Sequence, residues 1–128
     1  MQLTMDKMAQ YLSSCEGLSV VALQEARDGA VIDFMRGDGG GETGSTLEYM
    51  GRKLDMNHTL FGPAWDNFGN AIISKYALGS SSMHTMKLPN VEARILCCAV
   101  LRSPASQTFG VFCTHLVCNT PPFYVEYL

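Results

Sequence analysis

The sequence predicts a mixed α/β domain whose sheet is at least partly antiparallel. Near the N-terminus, apolar residues at helical spacing lead directly into a short apolar strand, which is the order of an α/β unit. From His58 onward the chain changes to short extended segments separated by short breaks, which is typical of antiparallel neighbours. A chain of 128 residues is long enough for one domain with a real core, since such a chain buries roughly two-thirds of its unfolded surface.

A helix is predicted between Thr4 and Ser14, with Gly17 as its C-terminal stop. The apolar run from Val20 to Leu23 follows, and the polar pair Gln24-Glu25 ends it. A run that is apolar throughout predicts a strand buried on both faces, in a central position of a sheet. The predicted helix has one apolar stripe, made of Met5, Met8, Ala9 and Leu12.

A loop is predicted from Asp28 to Ser45, followed by a second helix. Ser45 and Glu48 have the spacing of a capping box, which marks a helix start. The helix has an apolar stripe made of Leu47, Met50, Gly51 and Leu54.

Five extended segments follow the second helix. The first, His58 to Gly62, leads to a turn predicted over Gly62 to Asn67, and the second covers Asn70 to Ser74. Breaks at Pro89-Asn90 and at Ser103 to Gln107 divide the last three segments, which makes antiparallel pairing the expected arrangement. These three are Ser80 to Leu88, Ala93 to Arg102 and Thr108 to Thr114.

Composition narrows the classes of function. The chain is 47% hydrophobic and 16% charged, which argues against disorder. Its net charge of −3 gives no general basic field for nucleic acid, although an acidic site could still hold a cation beside a phosphate. No apolar run approaches the roughly 18 residues that span a bilayer, and the first residues do not resemble a signal peptide. A cytoplasmic location is therefore favoured.

The cysteines indicate free thiols in a reducing compartment. Their number is odd and no Cys-x-x-Cys occurs, so neither a disulfide framework nor a zinc site is indicated. Adjacent Cys97 and Cys98 are expected on opposite sides of a strand. The five are Cys15, Cys97, Cys98, Cys113 and Cys118.

Two residues that could take part in catalysis or metal binding stand at predicted strand ends. Glu25 closes the first apolar strand, and His115 closes the last one. A carboxylate at the end of a buried strand is held at the rim of a sheet, where ligands tend to bind. Taken alone, each also has a structural explanation: a solvated acid, and a histidine that serves as a hydrogen-bonding group.

Four segments together resemble the motifs of the endonuclease/exonuclease/phosphatase family, the DNase I-like metal-dependent phosphoesterases. They occur in the family's order, over about Met5 to Leu116, and read VVALQEA, FGNAIISKYAL, LPNVEARILCCAVL and FGVFCTHL. The resemblance implies a four-layer α/β/β/α sandwich, of which the chain carries roughly the first half. Residues 1–117 then form a partial domain of the family, and residues 118–128 form a divergent C-terminal tail.

The resemblance also implies a site. Glu25 matches the family glutamate that binds catalytic Mg²⁺ (or Mn²⁺), and His115 matches the histidine that faces the scissile phosphate. Arg94 matches an arginine suited to bidentate phosphate contact. Asn70 matches an asparagine beside the site, which either orients its neighbours or contacts the ligand directly. The implied reaction is metal-assisted attack of water on a phosphoester. The substrate stays open among nucleic acid, a phospholipid head group and a sugar phosphate.

The sequence departs from the family pattern at both ends. It has no opening strand with an asparagine, and it contains neither the Gly-Asp-Phe-Asn motif nor the Ser-Asp-His motif that includes the general base. Because catalytic groups act as a unit, we expect the chain by itself to be impaired or inactive. Half a sandwich would also expose a sheet face and a strand edge, so either aggregation or pairing with another chain is expected.

The alternative function is a non-catalytic binding protein or pseudo-enzyme built on the half-fold. Its binding surface would be aromatic, although core packing is the more usual explanation for aromatic residues. The candidate residues are Trp65, Phe123, Tyr124 and Tyr127.

Four other site classes have less support. The glycines 39, 41 and 44 have the spacing of a dinucleotide fingerprint, but the loop is acidic and follows a poor strand. The same loop has Walker A spacing with Ser45 where lysine is required, and no Gly-x-Ser-x-Gly supports a serine hydrolase. Cys113, His115 and Cys118 could suggest zinc, but packing is the favoured explanation for the thiols.

Overall fold

The computed structural model describes residues 2–28, 45–86 and 93–116, which form two helices and two three-stranded antiparallel sheets. The mixed helix-and-strand class and the antiparallel neighbours predicted from the sequence are therefore confirmed. The glycine-rich loop, the break at Pro89-Asn90 and the tail 118–128 lie outside the described residues. The elements are α1 (Gln2–Ser13), β1 (Val20–Arg27), α2 (Thr46–Leu54), β2 (His58–Trp65), β3 (Phe68–Ser74), β4 (Ala77–Met86), β5 (Arg94–Arg102) and β6 (Thr108–Thr114).

The strand order is β1-β3-β2 in the first sheet and β4-β5-β6 in the second. Both helices pack on one face of the first sheet, where Ala9 of α1 and Met50 of α2 meet Val21 and Ile73. The tyrosine hydroxyl of Tyr49 also donates to the Asp6 carboxylate at 2.6 Å, which ties the two helices together. No helix among the described residues is long and apolar enough to cross a membrane.

The other face of the first sheet packs against the second sheet. Ile72 of β3 is fully buried there. It meets inward-facing residues of β5 and β6, which are Ile95, Cys97, Ala99, Leu101 and Cys113. The described part of the chain is thus layered as helices, sheet and sheet. Since burying apolar surface stabilises by roughly 25 cal/mol per Å², these two cores are the main source of the fold's stability.

Strand β3 is the centre of the first sheet. Its residues from Gly69 to Ser74 are all buried, because Ile73 faces the helices while Ile72 faces the second sheet. This confirms the strand predicted over Asn70 to Ser74. The two faces of β3 join the two cores into one domain.

The position of β1 in its sheet differs from the prediction. The strand was predicted to be buried on both faces and central, but it lies at an edge and pairs only with β3 among the described strands. It also continues past Leu23 to Arg27. The apolar run of β3 is the one covered on both faces, and an apolar run of the same length in β1 could not distinguish the two positions.

The first hairpin also differs from its prediction. Strand β2 continues through Pro63 to Trp65, and the reversal occurs at Asp66 and Asn67 rather than over six residues. Proline is tolerated here because β2 is an edge strand, where a missing backbone N–H breaks no ladder bond.

Helix α2 begins as predicted. The Ser45 hydroxyl accepts from the backbone N–H of Glu48, and the Glu48 carboxylate accepts from the backbone N–H of Ser45. The helix is capped at its C-terminal end by Asp55, which takes the left-handed conformation at φ 55° that glycine more often supplies.

Candidate functional site

A β-bulge in β1 shapes the site. Leu23 pairs with Ala71 and Ala26 pairs with Gly69, so Gln24 and Glu25 together stand opposite the single residue Asn70. Glu25 has a φ of 53°, which is the left-handed region that L-residues with a side chain rarely adopt. Bulges commonly turn a side chain to a new direction, and strained backbone of this kind is often found at functional sites.

The bulge brings Glu25 to the second sheet. Before the bulge, Val21 and Leu23 pack toward the helices, and simple alternation would send Glu25 to that same face. Instead the Glu25 Oε1 atom lies 3.4 Å from Nδ1 of His115, the residue that follows β6. The glutamate side chain is 61% exposed and the histidine side chain 24%, so the pair lies at the mouth of a pocket.

Two further contacts hold β1 against β6 at this point. The Gln24 side-chain amide donates to the Thr114 carbonyl, one residue before His115. The Cys113 thiol donates to the Leu23 carbonyl at 3.3 Å. The residues on both sides of the bulge are therefore tied to the strand that carries His115, which fixes the two site residues relative to each other.

Asn70 lies beneath the bulge and is 2% exposed. Its side-chain Nδ2 donates to the Ile95 carbonyl at 2.8 Å, and the Thr114 hydroxyl donates to the same carbonyl at 3.3 Å. Ile95 follows Arg94 directly in β5. Asn70 thus links the central strands of both sheets and fixes the backbone beside Arg94, which is a positioning role.

All four predicted site residues line one small pocket that opens to solvent. They come from three strands and the end of a fourth: β1, β3, β5 and the residue after β6. The pocket is lined by Glu25, Ala64, Phe68, Gly69, Asn70, Arg94, Ile95 and His115. Residues that are 90 positions apart in the sequence, Glu25 and His115, are in contact there.

Gly69 forms part of the pocket wall because of a close backbone approach. A β-carbon at this position would collide with the backbone carbonyl of Gly62 on the neighbouring strand. Glycine is therefore required where β2 and β3 meet, and it leaves the wall between Phe68 and Asn70 without a side chain.

The rim of the pocket carries two residues that the sequence motifs did not single out for this position. Trp65 stacks on Phe68 with ring centroids 5.2 Å apart and is 45% exposed. The Arg27 guanidinium lies over the Phe68 ring, 5.8 Å from its centroid. Trp65 had been considered only as part of an aromatic binding surface, and no signal in the sequence links Arg27 to Phe68, since their contact depends on the β1–β3 pairing.

The donor set suits a hard cation held jointly with an anion. Of the residues that line the pocket, Glu25 is the only acid, and the described residues contain no group of three or more acids, histidines or cysteines placed to hold a metal. Mg²⁺ is typically held by one or two carboxylates, with water and phosphate oxygens completing its shell. Arg94 and His115 offer N–H donors for such an anion. The residues present therefore fit a weak Mg²⁺ site that a phosphate would complete.

The thiols near the site are buried and poorly reactive. Cys97 and Cys113 are cross-strand partners in the core between the sheets. Burial, followed by the neighbouring thiols Cys113 and Cys98, raises the pKa of Cys97 from 9.0 to about 11, and burial also raises the pKa of Cys113. Since the thiolate is the form that binds metal, Cys113 is a poor zinc ligand. The third residue of the zinc alternative, Cys118, lies outside the described residues.

A second cleft lies on the helix side of the bulge. It measures about 370 Å³ and is mostly apolar, with Met5, Met8, Leu23, Leu47 and Met50 among its lining residues. Glu25 and Arg27 supply its charged groups. With two charges of opposite sign and an apolar floor, this cleft is less suited to a phosphate than the pocket that contains His115 and Arg94.

The chain matches none of the family models, curated proteins or solved structures with which it was compared.

Proposed function

We propose that this chain is part of a metal-dependent phosphoesterase of the endonuclease/exonuclease/phosphatase family. One observation carries the proposal. Four motifs that are separate in the sequence each contribute one residue to a single pocket: Glu25, Asn70, Arg94 and His115. Four functionally unrelated segments would not be expected to place these four side chains in one pocket.

The proposed complete fold is the four-layer α/β/β/α sandwich of that family. In support, the described residues already stack two helices on a sheet and that sheet on a second one. The second helical layer, which would cover the outer face of the β4-β5-β6 sheet, belongs to the proposal. Strand β5 is consistent with such a cover, because its sequence ILCCAVL is apolar on both faces.

In the proposed chemistry, Glu25 holds Mg²⁺ or Mn²⁺ through its carboxylate. The bound cation would supply charge stabilisation to a phosphoester that is attacked by water. Arg94 binds a non-bridging phosphate oxygen, and the His115 imidazole donates a hydrogen bond to the phosphate. Asn70 holds β3 against β5 through its hydrogen bond to the Ile95 carbonyl, so that the other groups stay aligned.

We expect these 128 residues alone to turn substrate over slowly or not at all. They contain neither Gly-Asp-Phe-Asn nor Ser-Asp-His, the motifs that in this family activate the attacking water. Of the residues that line the pocket, Glu25 is the only acid, and it is assigned to the cation. Binding of metal and phosphate should survive where hydrolysis does not, because Glu25, Arg94 and His115, the residues assigned to binding, all line the pocket.

The test is isothermal titration calorimetry of Mn²⁺ into the chain, with and without bis(p-nitrophenyl) phosphate, and release of p-nitrophenolate is followed in the same samples. We expect Mn²⁺ to bind, the diester to tighten that binding, and Glu25→Gln to remove both effects. Glu16→Gln serves as the matched control, since Glu16 is an exposed acid that does not line the pocket.

The possible results separate the two functional classes. A folded chain that binds metal and diester without turnover corresponds to a pseudo-enzyme or an incomplete enzyme. Turnover that depends on Glu25 would show that the absent motifs are dispensable. A folded chain in which Glu25→Gln and Glu16→Gln behave identically would overturn the proposed site.

A further inference from the structure

A row of three flat side chains extends the wall of the pocket toward the end of the first sheet. Phe68 lines the pocket, and it pairs with Arg27 of β1 on one side and with Trp65 of β2 on the other. Residues directly opposite each other in a sheet point to the same face. That face meets the second sheet, since Asn70, two residues further along β3, reaches the Ile95 carbonyl from it. We call Arg27, Phe68 and Trp65 the stacking platform.

The stacking platform is held in place and is nonetheless accessible. The Trp65 and Phe68 ring centroids are 5.2 Å apart, and the Arg27 guanidinium lies 5.8 Å from the Phe68 centroid. The tip of the hairpin is tied to the end of β1, because the Asp28 backbone N–H donates to the Asn67 carbonyl at 2.9 Å. Trp65 is 45% exposed. A flat aromatic surface therefore stands beside a phosphate pocket, and little side-chain freedom is lost when a ligand stacks on it.

We propose, as an inference that rests on the function proposed above, that the substrate is a small nucleoside phosphodiester such as a dinucleotide. Its phosphate would occupy the pocket beside Arg94 and His115, and the base next to that phosphate would stack on Trp65. Every base has a flat π-face, so stacking on an aromatic side chain favours nucleosides of any sequence. Trp65 is then the residue that sets the preference for a base.

The charges around the platform favour a base over a phospholipid head group or a sugar phosphate. A choline head group also binds aromatic faces, but the Arg27 guanidinium already places a positive charge on this platform. The hairpin tip, Asp66-Asn67, is exposed and carries an acid, which disfavours contact with an anionic membrane surface. A sugar phosphate without a base has no flat aromatic ring to cover Trp65.

The net charge of −3 favours a small nucleotide over a long strand. Binding of a long nucleic acid depends on many lysine and arginine contacts to its phosphates. A dinucleotide has a single phosphodiester, which the one pocket can hold.

Fluorescence of Trp65 reports stacking directly, because it is the only tryptophan of the chain. The dinucleotide ApA, glycerophosphocholine and glucose 1-phosphate are titrated separately into the full chain in Mg²⁺, and isothermal titration calorimetry gives the affinities. Trp65→Leu removes the ring. Tyr11→Leu is the matched control, since Tyr11 is an exposed aromatic residue of α1 that does not line the pocket.

We expect ApA to quench Trp65 and to bind about 10-fold more tightly than the other two ligands. Trp65→Leu should lose this preference and still bind Mn²⁺ through Glu25, whereas Tyr11→Leu should keep the preference. The comparison of the three ligands on the wild-type chain needs no variant.

Two kinds of failure are distinguishable. Equal affinity for the three ligands, or tighter binding of glycerophosphocholine or glucose 1-phosphate, with binding lost in Glu25→Gln, would overturn the nucleoside assignment and leave the proposed phosphoesterase site standing. Affinity for ApA that is unchanged in Glu25→Gln, or no binding of any of the three ligands, would overturn the proposed site together with this inference.

Discussion

Replacing Glu25 separates the backbone strain of the bulge from the chemistry of the carboxylate. The left-handed conformation at φ 53° costs a residue with a β-carbon about 1–2 kcal/mol, whereas glycine adopts it freely. Glu25→Ala and Glu25→Gly both remove the carboxylate, so the difference between these two variants reports the backbone alone. We expect the glycine variant to be the more stable by about 1 kcal/mol, after allowance for the extra freedom of glycine in the unfolded chain.

Ala22 provides the matched control. It lies three residues earlier in β1, is exposed, and is not among the residues with positive φ. There Ala22→Gly should destabilise by about 0.5–1 kcal/mol. The same alanine-to-glycine change should therefore stabilise the fold at position 25 and destabilise it at position 22.

The assay is urea unfolding followed by the fluorescence of Trp65, with thermal unfolding as a second measure. For a chain of this length, 1 kcal/mol corresponds to a shift in Tm of about 4 °C. If glycine is less stable than alanine at both positions, Glu25 does not occupy a left-handed bulge. The explanation of how its side chain reaches His115 would then fail.

Two further predictions concern the core and the pocket wall. Burial raises the pKa of Cys97 from 9.0 in the unfolded chain to about 11 in the folded one. The free energy of unfolding therefore does not depend on this thiol below pH 9, and it falls by about 2 kcal/mol as the pH rises to 11. Urea unfolding at several pH values should show a steeper loss for the wild type than for Cys97→Ala, and parallel curves would contradict the assignment. Gly69→Ala should destabilise by about 2–3 kcal/mol, because its β-carbon meets the Gly62 backbone, whereas Gly79→Ala, where a β-carbon has ordinary contacts, should cost less than about 1 kcal/mol.

The sequence predicted an element well where its boundary depends on interactions between residues close together in the chain. The capping box at Ser45 and Glu48 gave the start of α2, because its two hydrogen bonds depend only on residues three apart. The strand at β6 was predicted with its observed bounds, since the break from Ser103 to Gln107 precedes it and His115 closes it.

The position of β1 in its sheet could not be predicted in the same way. The runs at Val20 and at Ala71 are equally apolar, and only the tertiary pairing shows that β3 is covered on both faces while β1 is at an edge. The extension of β2 through Pro63 was missed for a related reason. Proline ends a strand in the middle of a sheet but is allowed at an edge, and the sequence does not state which strand is the edge.

The site was predicted as a set of residues but not as a geometry. Glu25, Asn70, Arg94 and His115 were selected from motifs, and all four line the same pocket. The bulge that turns Glu25 toward His115 leaves no mark in the sequence, because glutamate is not a residue that signals a positive φ. Asn70 had two open roles, and its hydrogen bond to the Ile95 carbonyl favours positioning.

The most direct measurement of the central claim is paramagnetic broadening of the histidine ring resonances by Mn²⁺. A cation on Glu25 would lie within a few ångströms of His115, whose Nδ1 is 3.4 Å from the carboxylate. His58 pairs with Ser74, five residues along β3 from Gly69 in the pocket wall, so it lies roughly 17 Å away and serves as the control within the same spectrum.

We expect small amounts of Mn²⁺ to broaden the His115 resonances and to leave those of His58 sharp, and Glu25→Gln to abolish the difference. Equal broadening of His115 and His58, or selective broadening of His115 that persists in Glu25→Gln, would contradict a metal site at Glu25.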